Sequence, residues 1–326
     1  MARLRVADPV PFVALALDAA LGWPGWVYAR VGHPVGLFAR MIDACEHHWN
    51  RPGRADGIRR MLGVATVLLL LALSAGGAWL FTLAARALFG GHAWFAIAAM
   101  AWPALAQRSL YDHVRAVARA LHGDDLVAAR NAVGMIVGRD TLALDRAGIA
   151  RAAIESLAES FCDAIAAPLV WLIVGGLPGV WAYKAINTAD SLIGHREPRW
   201  RAFGWAAART DDAMNLVPAR LGGAVLCLAA PGGWGVMVRD HARHASPNAG
   251  WTEAAMAGAL DLRLAGPVIY DGVAHEKAWI GDGRTQATSD DVDRALRIYL
   301  RACLVLWLIA GATQWALCAG AARWAL

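Results

Sequence analysis

Apolar residues gather in three long stretches of the chain, 61–85, 87–106 and 302–319. Each suits a membrane-crossing helix, which takes about 20 mostly apolar residues at about 1.5 Å of rise per residue. Within 61–85 only the small Thr66, Ser74 and Thr82 interrupt the run, which fits a core helix of a soluble protein poorly. Two further stretches, 164–182 and 216–238, are apolar but broken. Gly175-Gly176-Leu177-Pro178-Gly179 interrupts the first and Pro231-Gly232-Gly233 the second. Residues 11–28 carry Asp18, Pro11 and Pro24 and read as a helix lying in, or dipping into, a membrane. No clear small-residue cleavage site follows, so no cleavable leader is expected.

Polar segments separate these runs at 107–160, 183–215 and 239–300. The first keeps a helical period, with Leu110, Val114, Val117 and Leu121 on one face. Gly123-Asp124-Asp125 should end that helix and cap a second, and Asp145 should cap a third that runs on into the apolar 164–174. The pattern predicts an all-α, polytopic integral membrane protein with about four to five hydrophobic segments, some re-entrant. It forms a single membrane domain over 1–326, including the polar segments.

Composition agrees with this pattern. Hydrophobic residues make up 58% of the 326 and charged residues only 17%, against about 25% charged in a soluble domain. The net charge of +5 is not concentrated on one soluble domain, so nucleic acid is not an expected partner. Arginines orient the spans instead, because basic loops stay on the cytoplasmic side. Arg51, Arg54, Arg59 and Arg60 precede 61–85; Arg108, Arg115, Arg119, Arg130, Arg139, Arg146 and Arg151 follow 87–106. Only Arg86 lies between the two spans, which predicts a hairpin with its turn outside. A single crossing by 164–182 would then put Lys184, Arg196, Arg199, Arg201 and Arg209 outside. A re-entrant hairpin turning at the Gly-Gly-Leu-Pro-Gly run removes the conflict, and irregular backbone at that depth must be covered by protein or water. An ordinary crossing with a basic external loop is the alternative.

The five cysteines form no CxxC pair and no zinc spacing, so neither disulfides nor a metal cluster is expected. There is no GxxxxGK[ST] loop, GxGxxG turn, HExxH or Gly-x-Ser-x-Gly elbow. His241 and His244, one turn apart and without evident partners, read as interfacial side chains.

Three polar groups remain, and ionisable residues near a membrane boundary mark candidate sites. Arg151, Glu155, Glu159 and Asp163 repeat every four residues on one helix face; the carboxylates could hold Mg²⁺, although a solvated face with an Arg151–Glu155 pair explains the spacing more simply. Lys184, Asn187 and Ser191 share a face close to Asp190, where a lysine could neutralise a phosphate or carboxylate, or merely snorkel. Arg209, Asp211, Asp212, Asn215 and Arg220 could hold a metal–phosphate, or be acids near a helix N-terminus.

Longer runs carry a resemblance. Gly134-Met-Ile-Val-Gly-Arg-Asp-Thr141, Leu144-Asp145 and 148–169 form the first. Tyr183-Lys-Ala-Ile-Asn-Thr-Ala-Asp-Ser191, Phe203-Gly-Trp-Ala-Ala-Ala-Arg209, Asp211-Asp212, Asn215 and Pro218-Ala-Arg220 form the second. Ser246-Pro-Asn-Ala-Gly-Trp251, with Glu253 and Gly266-Pro267, forms the third, and His33-Pro34-Val35 is a weaker match near the start. Over nearly the whole chain these runs resemble the adenosylcobinamide-phosphate synthase family of cobalamin biosynthesis, the CobD/CbiB type. Where many members have Gly-Asp-Pro, this chain reads Gly22-Trp23-Pro24.

The resemblance implies an ATP-dependent carbon–nitrogen ligase of the bacterial inner membrane, with its polar loops mainly cytoplasmic. It would join adenosylcobyric acid to (R)-1-amino-2-propanol or its O-phosphate, with ATP and Mg²⁺ as cofactors and other cobalamin-assembly proteins as potential partners. Fitted to the polar groups, this gives Lys184, Asp190 and Arg209 as catalytic residues. Arg139, Asp140, Arg151, Asn187, Arg220 and Asn248 would bind substrate or phosphate, and Glu155, Glu159, Asp163, Asp211 and Asp212 would bind metal. A transporter or corrinoid-binding assembly protein is the rival reading, since broken helices suit transporters, although no repeated halves are visible. A membrane prenyltransferase, suggested by the spacing of Asn187 and Asp190, would need more full crossings.

Overall fold

A computed structural model describes residues 9–138, 140–270, 273–275 and 278–323. Helices dominate: α1 Val10–Leu21, α2 Gly25–Val31, α3 Pro34–Trp49, α4 Asp56–Phe89, α5 Ala93–Ala101, α6 Gln107–His122 and α7 Leu126–Gly134 come first. There follow α8 Arg146–Phe161, α9 Ala167–Ile193, α10 Trp205–Ala229, α11 Trp234–Asp240, α12 Ala249–Leu260 and α13 Ser289–Arg323. The stretches Asp56–His122, Arg146–Ile193 and Ser289–Thr313 each hold a segment long and apolar enough to cross a membrane. A fourth is added if α1 and α2–α3, bent by 103°, count as one span. The protein is an all-α polytopic membrane protein. Its departures are two short antiparallel ribbons. Strand β1 (Leu264–Ala265) pairs with β4 (Trp279–Ile280), and β2 (Val268–Tyr270) with β3 (Val273–His275).

The chain divides into two compact units: Met1–Ala106, Ala167–Asn215 and Ile309–Leu326 form the first, Gln107–Ala166 and Leu216–Leu308 the second. In the first, α4 spans about 50 Å at 1.5 Å per residue. Leu68, Leu73 and Leu80 stand more than half exposed along it. In water such a stripe would be an anomaly; in hydrocarbon it costs nothing. The few hydroxyls of this helix are satisfied internally. Thr66, Ser74 and Thr82 donate to the carbonyls of Leu62, Leu70 and Ala78 at 2.9, 2.6 and 2.8 Å, as an apolar solvent demands. The core joins Ile42 of α3, Val67 and Leu70 of α4, Ile186 and Ile193 of α9, and Phe203. After α4 the chain turns at Gly90 and α5 packs against α4, α1 and α9.

Helix α9 reverses on itself. Gly176 adopts φ 61° and ψ −154° inside the helical run, a conformation that glycine tolerates at little cost. Eight residues of straight helix would separate Trp171 from Gly179 by about 12 Å. Instead, a methyl group placed on Gly179 would sit 2.5 Å from the Trp171 carbonyl oxygen, so the two arms touch. The tip, 175–178, lines a cavity of about 310 Å³ with Thr82 and Arg86 near the C-terminal end of α4. The returning arm ends among Ile42, Val67 and Phe203. It therefore runs antiparallel to α4, and the expected hairpin turn lies at the glycine–proline run. The polar segment expected from 183 begins as helix, since α9 continues to Ile193.

The second unit packs α6 on α7 and α8, and α12 on α8 and α11. The expected face of α6 is inside: Leu110, Val114, Val117 and Leu121 are all buried. Asp125 caps α7 by accepting the Ala128 N–H at 2.9 Å, and Asp145 caps α8 by accepting that of Gly148 at 2.7 Å. A π-turn at Cys162–Ala166 follows α8. The break expected in 216–238 is the 3₁₀ turn Pro231–Gly233 between α10 and α11, and neither helix is among those apolar enough to cross alone.

Candidate functional site

In the first unit, two of the three polar groups converge. On α9 a spacing of four sets Tyr183 and Asn187 on one face, and on α10 the same spacing aligns Asp211 with Asn215. Tyr183 Oη donates to Asn215 Oδ1 at 3.0 Å, and Asn215 Nδ2 donates to Asp211 Oδ2 at 2.9 Å. Asn187 Nδ2 reaches Asp211 Oδ1 at 3.4 Å. Tyr183, Asn215 and Asp211 are all buried. Burial first, and then the charge of Asp190, push the Asp211 carboxyl up to about 7; the two amides oppose the shift. This is the poise of a group that exchanges a proton near neutrality or accepts a cation.

Around this network lie further charged groups. Asp212 is half-buried and pairs with the exposed Arg209 at 3.3 Å. Burial raises its carboxyl, and Arg209 and Arg196 oppose that. Lys184 follows Tyr183 on α9, half-buried, and is close enough to His33 for their charges to interact. His33 Nδ1 accepts the Val35 N–H at 3.2 Å and so caps α3, which brings the His-Pro-Val run into the neighbourhood of Lys184.

The remaining candidates belong to the second unit. Glu155 Oε1 accepts the Ala265 N–H at 2.8 Å and lies 3.7 Å from Arg151 Nε. The Arg151 guanidinium lies 5.2 Å from the Trp279 ring centroid. Glu159 is exposed, and Asp163 sits half-buried in the π-turn. Among the described residues, the trio of His, Cys, Asp or Glu whose ligand atoms all lie within 4.8 Å is the largely exposed His122, Asp290 and Asp293. Asp140 is exposed and accepts the Leu142 N–H at 2.8 Å, a turn contact. Arg139 lies outside the described residues.

Near the start of α12, Arg220 lies 4.8 Å from the Trp251 ring centroid, and His241 stacks on Trp251 at 3.8 Å. His244 Nε2 lies 3.5 Å from Glu253 Oε1, and its Nδ1 accepts the Ser246 N–H at 3.0 Å. Asn248 is buried at the N-cap of α12. His241 and His244, without evident partners in the sequence, each have one here, aromatic for His241 and acidic for His244. Tyr183, Trp251, His241 and Glu253 are missed as site residues by sequence reasoning, because their partners lie on other turns or other helices. Trp251 and Glu253 had one available signal, their place in the third motif run.

The sequence profile of the CobD/Cbib protein family matches residues 11–299. The chain is 49% identical over 311 residues to the cobalamin biosynthesis protein CobD of Rhodobacter capsulatus, covering 92% of this chain and 95% of that one. It is 47% identical to CobD of a Sinorhizobium species, over 90% of this chain and 94% of the relative, and 44% identical to CobD of Brucella suis biovar 1, over 88% and 90%. No solved structure matches the chain. By the profile and these identities the chain belongs to the CobD/Cbib family, with a role in cobalamin biosynthesis.

Proposed function

We propose that the protein is an amide-forming ligase that joins adenosylcobyric acid to (R)-1-amino-2-propanol or its O-phosphate at the expense of ATP. The observation that carries this reading is the Tyr183–Asn215–Asp211–Asn187 network, which gathers amides, acids and the neighbouring Lys184 on two helices. Amide formation needs an activated carboxylate. In the proposed sequence a substrate carboxylate oxygen attacks the terminal phosphorus of ATP, and ADP leaves. The amine then attacks the acyl carbon, the C–N bond forms, phosphate departs, and Asp190 takes the proton released by nitrogen. Lys184 and Arg209 hold phosphate and carboxylate oxygens, where fixed positive charge stabilises the developing anion. Asn187 orients the Asp211 carboxylate, and the helices hold the reactants together, which supplies much of the rate.

The same residues fit Mg²⁺. Asp211 and Asp212, with the side-chain oxygens of Asn187 and Asn215, offer the hard oxygen donors that Mg²⁺ prefers. When bound, Mg²⁺ would offset phosphate charge. In the second unit, Arg151, Arg220 and Asn248 remain substrate-binding candidates. The polar segments are assigned to the cytoplasmic face of the inner membrane, where ATP is available.

The test uses purified protein in detergent with adenosylcobyric acid, Mg-ATP and either amine, following corrinoid mass. An ATP-dependent gain equal to one amide supports the reading and identifies the amine. Folded protein that gives no product with either amine turns it towards a corrinoid-binding or transport role.

A further inference from the structure

A separate polar cavity of about 520 Å³ opens in the first unit at the N-terminal end of α4, within the ~300–1,000 Å³ range of small-ligand sites. Its walls come from the end of α3, the turn before α4 and the segment 198–199. Arg59 ties them together. Its Nε donates to Asn50 Oδ1 at 2.7 Å, its Nη1 to Asp56 Oδ1 at 3.1 Å, and its Nη2 to the Arg199 carbonyl. Asn50 Nδ2 also donates to the Arg199 carbonyl, at 3.0 Å. Glu46, Asn50 and Arg59 are each under 9% exposed, so this floor is built and rigid.

The charges of the cavity do not balance. Asp56 pairs with Arg59 from outside the lining, and the lining itself sets Arg51, Arg59 and Arg199 against one carboxylate, Glu46, so one positive charge is left over. That carboxylate is already engaged, since Arg199 Nε and Nη2 donate to Glu46 Oε1 at 3.2 and 3.0 Å. Among the described residues the Arg51 side chain makes no hydrogen bond or ion pair. Arg199 stays 65% exposed at its side chain. A guanidinium standing beside a hydrogen-bonded floor offers donors that match the oxygens of a phosphate. The depth of the cavity is also set. The apolar run of α4 begins at Met61, directly after Arg60, whose guanidinium lies 4.8 Å from the Trp205 ring centroid. With Trp49 and Trp200 close by in the packed core, this is the mixture of arginine and tryptophan that sits at headgroup level.

We propose that this cavity binds a phosphate group at the membrane surface, carried either by an anionic lipid or by a soluble phosphate ester, with Arg51 and Arg199 as its clamp. The site is distinct from the Asp211 network and does not rest on the ligase reading.

The full chain would be studied in nanodiscs of phosphatidylcholine with and without phosphatidylglycerol, counting retained lipid by native mass spectrometry. In parallel, detergent-solubilised protein would be titrated with inorganic phosphate and with metal-free ATP, following the shift in unfolding temperature. Saturable binding of phosphatidylglycerol that Arg51→Ala weakens assigns the site to lipid; saturable stabilisation by phosphate or ATP that Arg51→Ala weakens assigns it to a soluble ester. In either case Arg51→Ala should weaken binding about tenfold or more, and Arg51→Lys should restore part of it. Arg51 is exposed and makes no side-chain bond among the described residues, so an unchanged unfolding temperature without ligand will show that the variant folds. Binding left intact by Arg51→Ala, or no saturable binding of either kind, would overturn the proposal.

Discussion

Asn187 Nδ2 and Asp211 Oδ1 lie 3.4 Å apart across 24 positions of the chain. This contact joins the two helices that carry the Tyr-Lys-Ala-Ile-Asn run and the Asp-Asp pair, and it fixes one oxygen of a carboxylate whose other oxygen is held by Asn215.

Asp211 should make stability depend on pH. Burial and Asp190 raise its carboxyl from 3.8 to about 7 in the folded chain. The folded state therefore keeps a proton that the unfolded state gives up. Stability falls as pH rises between these values and levels off above the higher one, by on the order of a few kcal/mol. Thermal unfolding of ligand-free protein between pH 5 and 8 should show this decline, and Asp211→Asn should flatten it. Parallel profiles for the two proteins would remove Asp211 as the cause.

Lys184 tests the catalytic assignment. Lys184→Ala should lower kcat/KM for corrinoid amide formation by about 100-fold or more while leaving the unfolding temperature close to that of the parent. Lys184→Arg, which keeps the charge, should recover part of the loss. Full turnover by the alanine variant would exclude the residue from the chemistry.

Glu155 separates a structural from a metal role. Its Oε1 accepts the Ala265 N–H, so Glu155→Ala should destabilise the second unit by about 1–3 kcal/mol. Glu155→Gln keeps an acceptor and should fold normally. If the Mg²⁺ dependence of turnover is also unchanged in Glu155→Gln, the carboxylate supports the backbone and holds no metal.

The hairpin of α9 makes a steric prediction. A methyl group at Gly179 would meet the Trp171 carbonyl at 2.5 Å, and Gly176 has positive φ. Gly179→Ala should cost on the order of 1–3 kcal/mol, and Gly176→Ala about 1–3 kcal/mol as well. Gly175→Ala, which meets nothing within 4 Å, is the control and should melt like the parent.

Local signals carried much of the fold. The buried face of α6 follows from a period of three to four residues, and the caps at Asp125 and Asp145 follow from short side chains before apolar runs. The turn in α9 follows from glycine next to proline. The site was legible only in pieces. Lys184, Asn187, Asp190, Asp211 and Asp212 stand out as polar residues beside apolar runs, but nothing local pairs Tyr183 with Asn215 or Glu155 with the Ala265 amide, 110 positions away. Strands β1 and β4, two residues each, are too short for alternation to register, and they form by closing a loop onto Leu264 and Ile280.

The reversal at Gly176 also bears on how the chain is inserted during synthesis. Because the returning arm ends near Val67 and Phe203, and Arg60 meets Trp205, the segment 194–205 comes back to the N-terminal end of α4. Arg196, Arg199 and Arg201 thus end on the same side of the apolar layer as Arg59 and Arg60, and the chain need not carry them through hydrocarbon to the opposite side, where an arginine at mid-depth costs about 2.5–3.5 kcal/mol. A glycine that looks like a flaw in a helix lets one basic edge gather from two distant parts of the sequence.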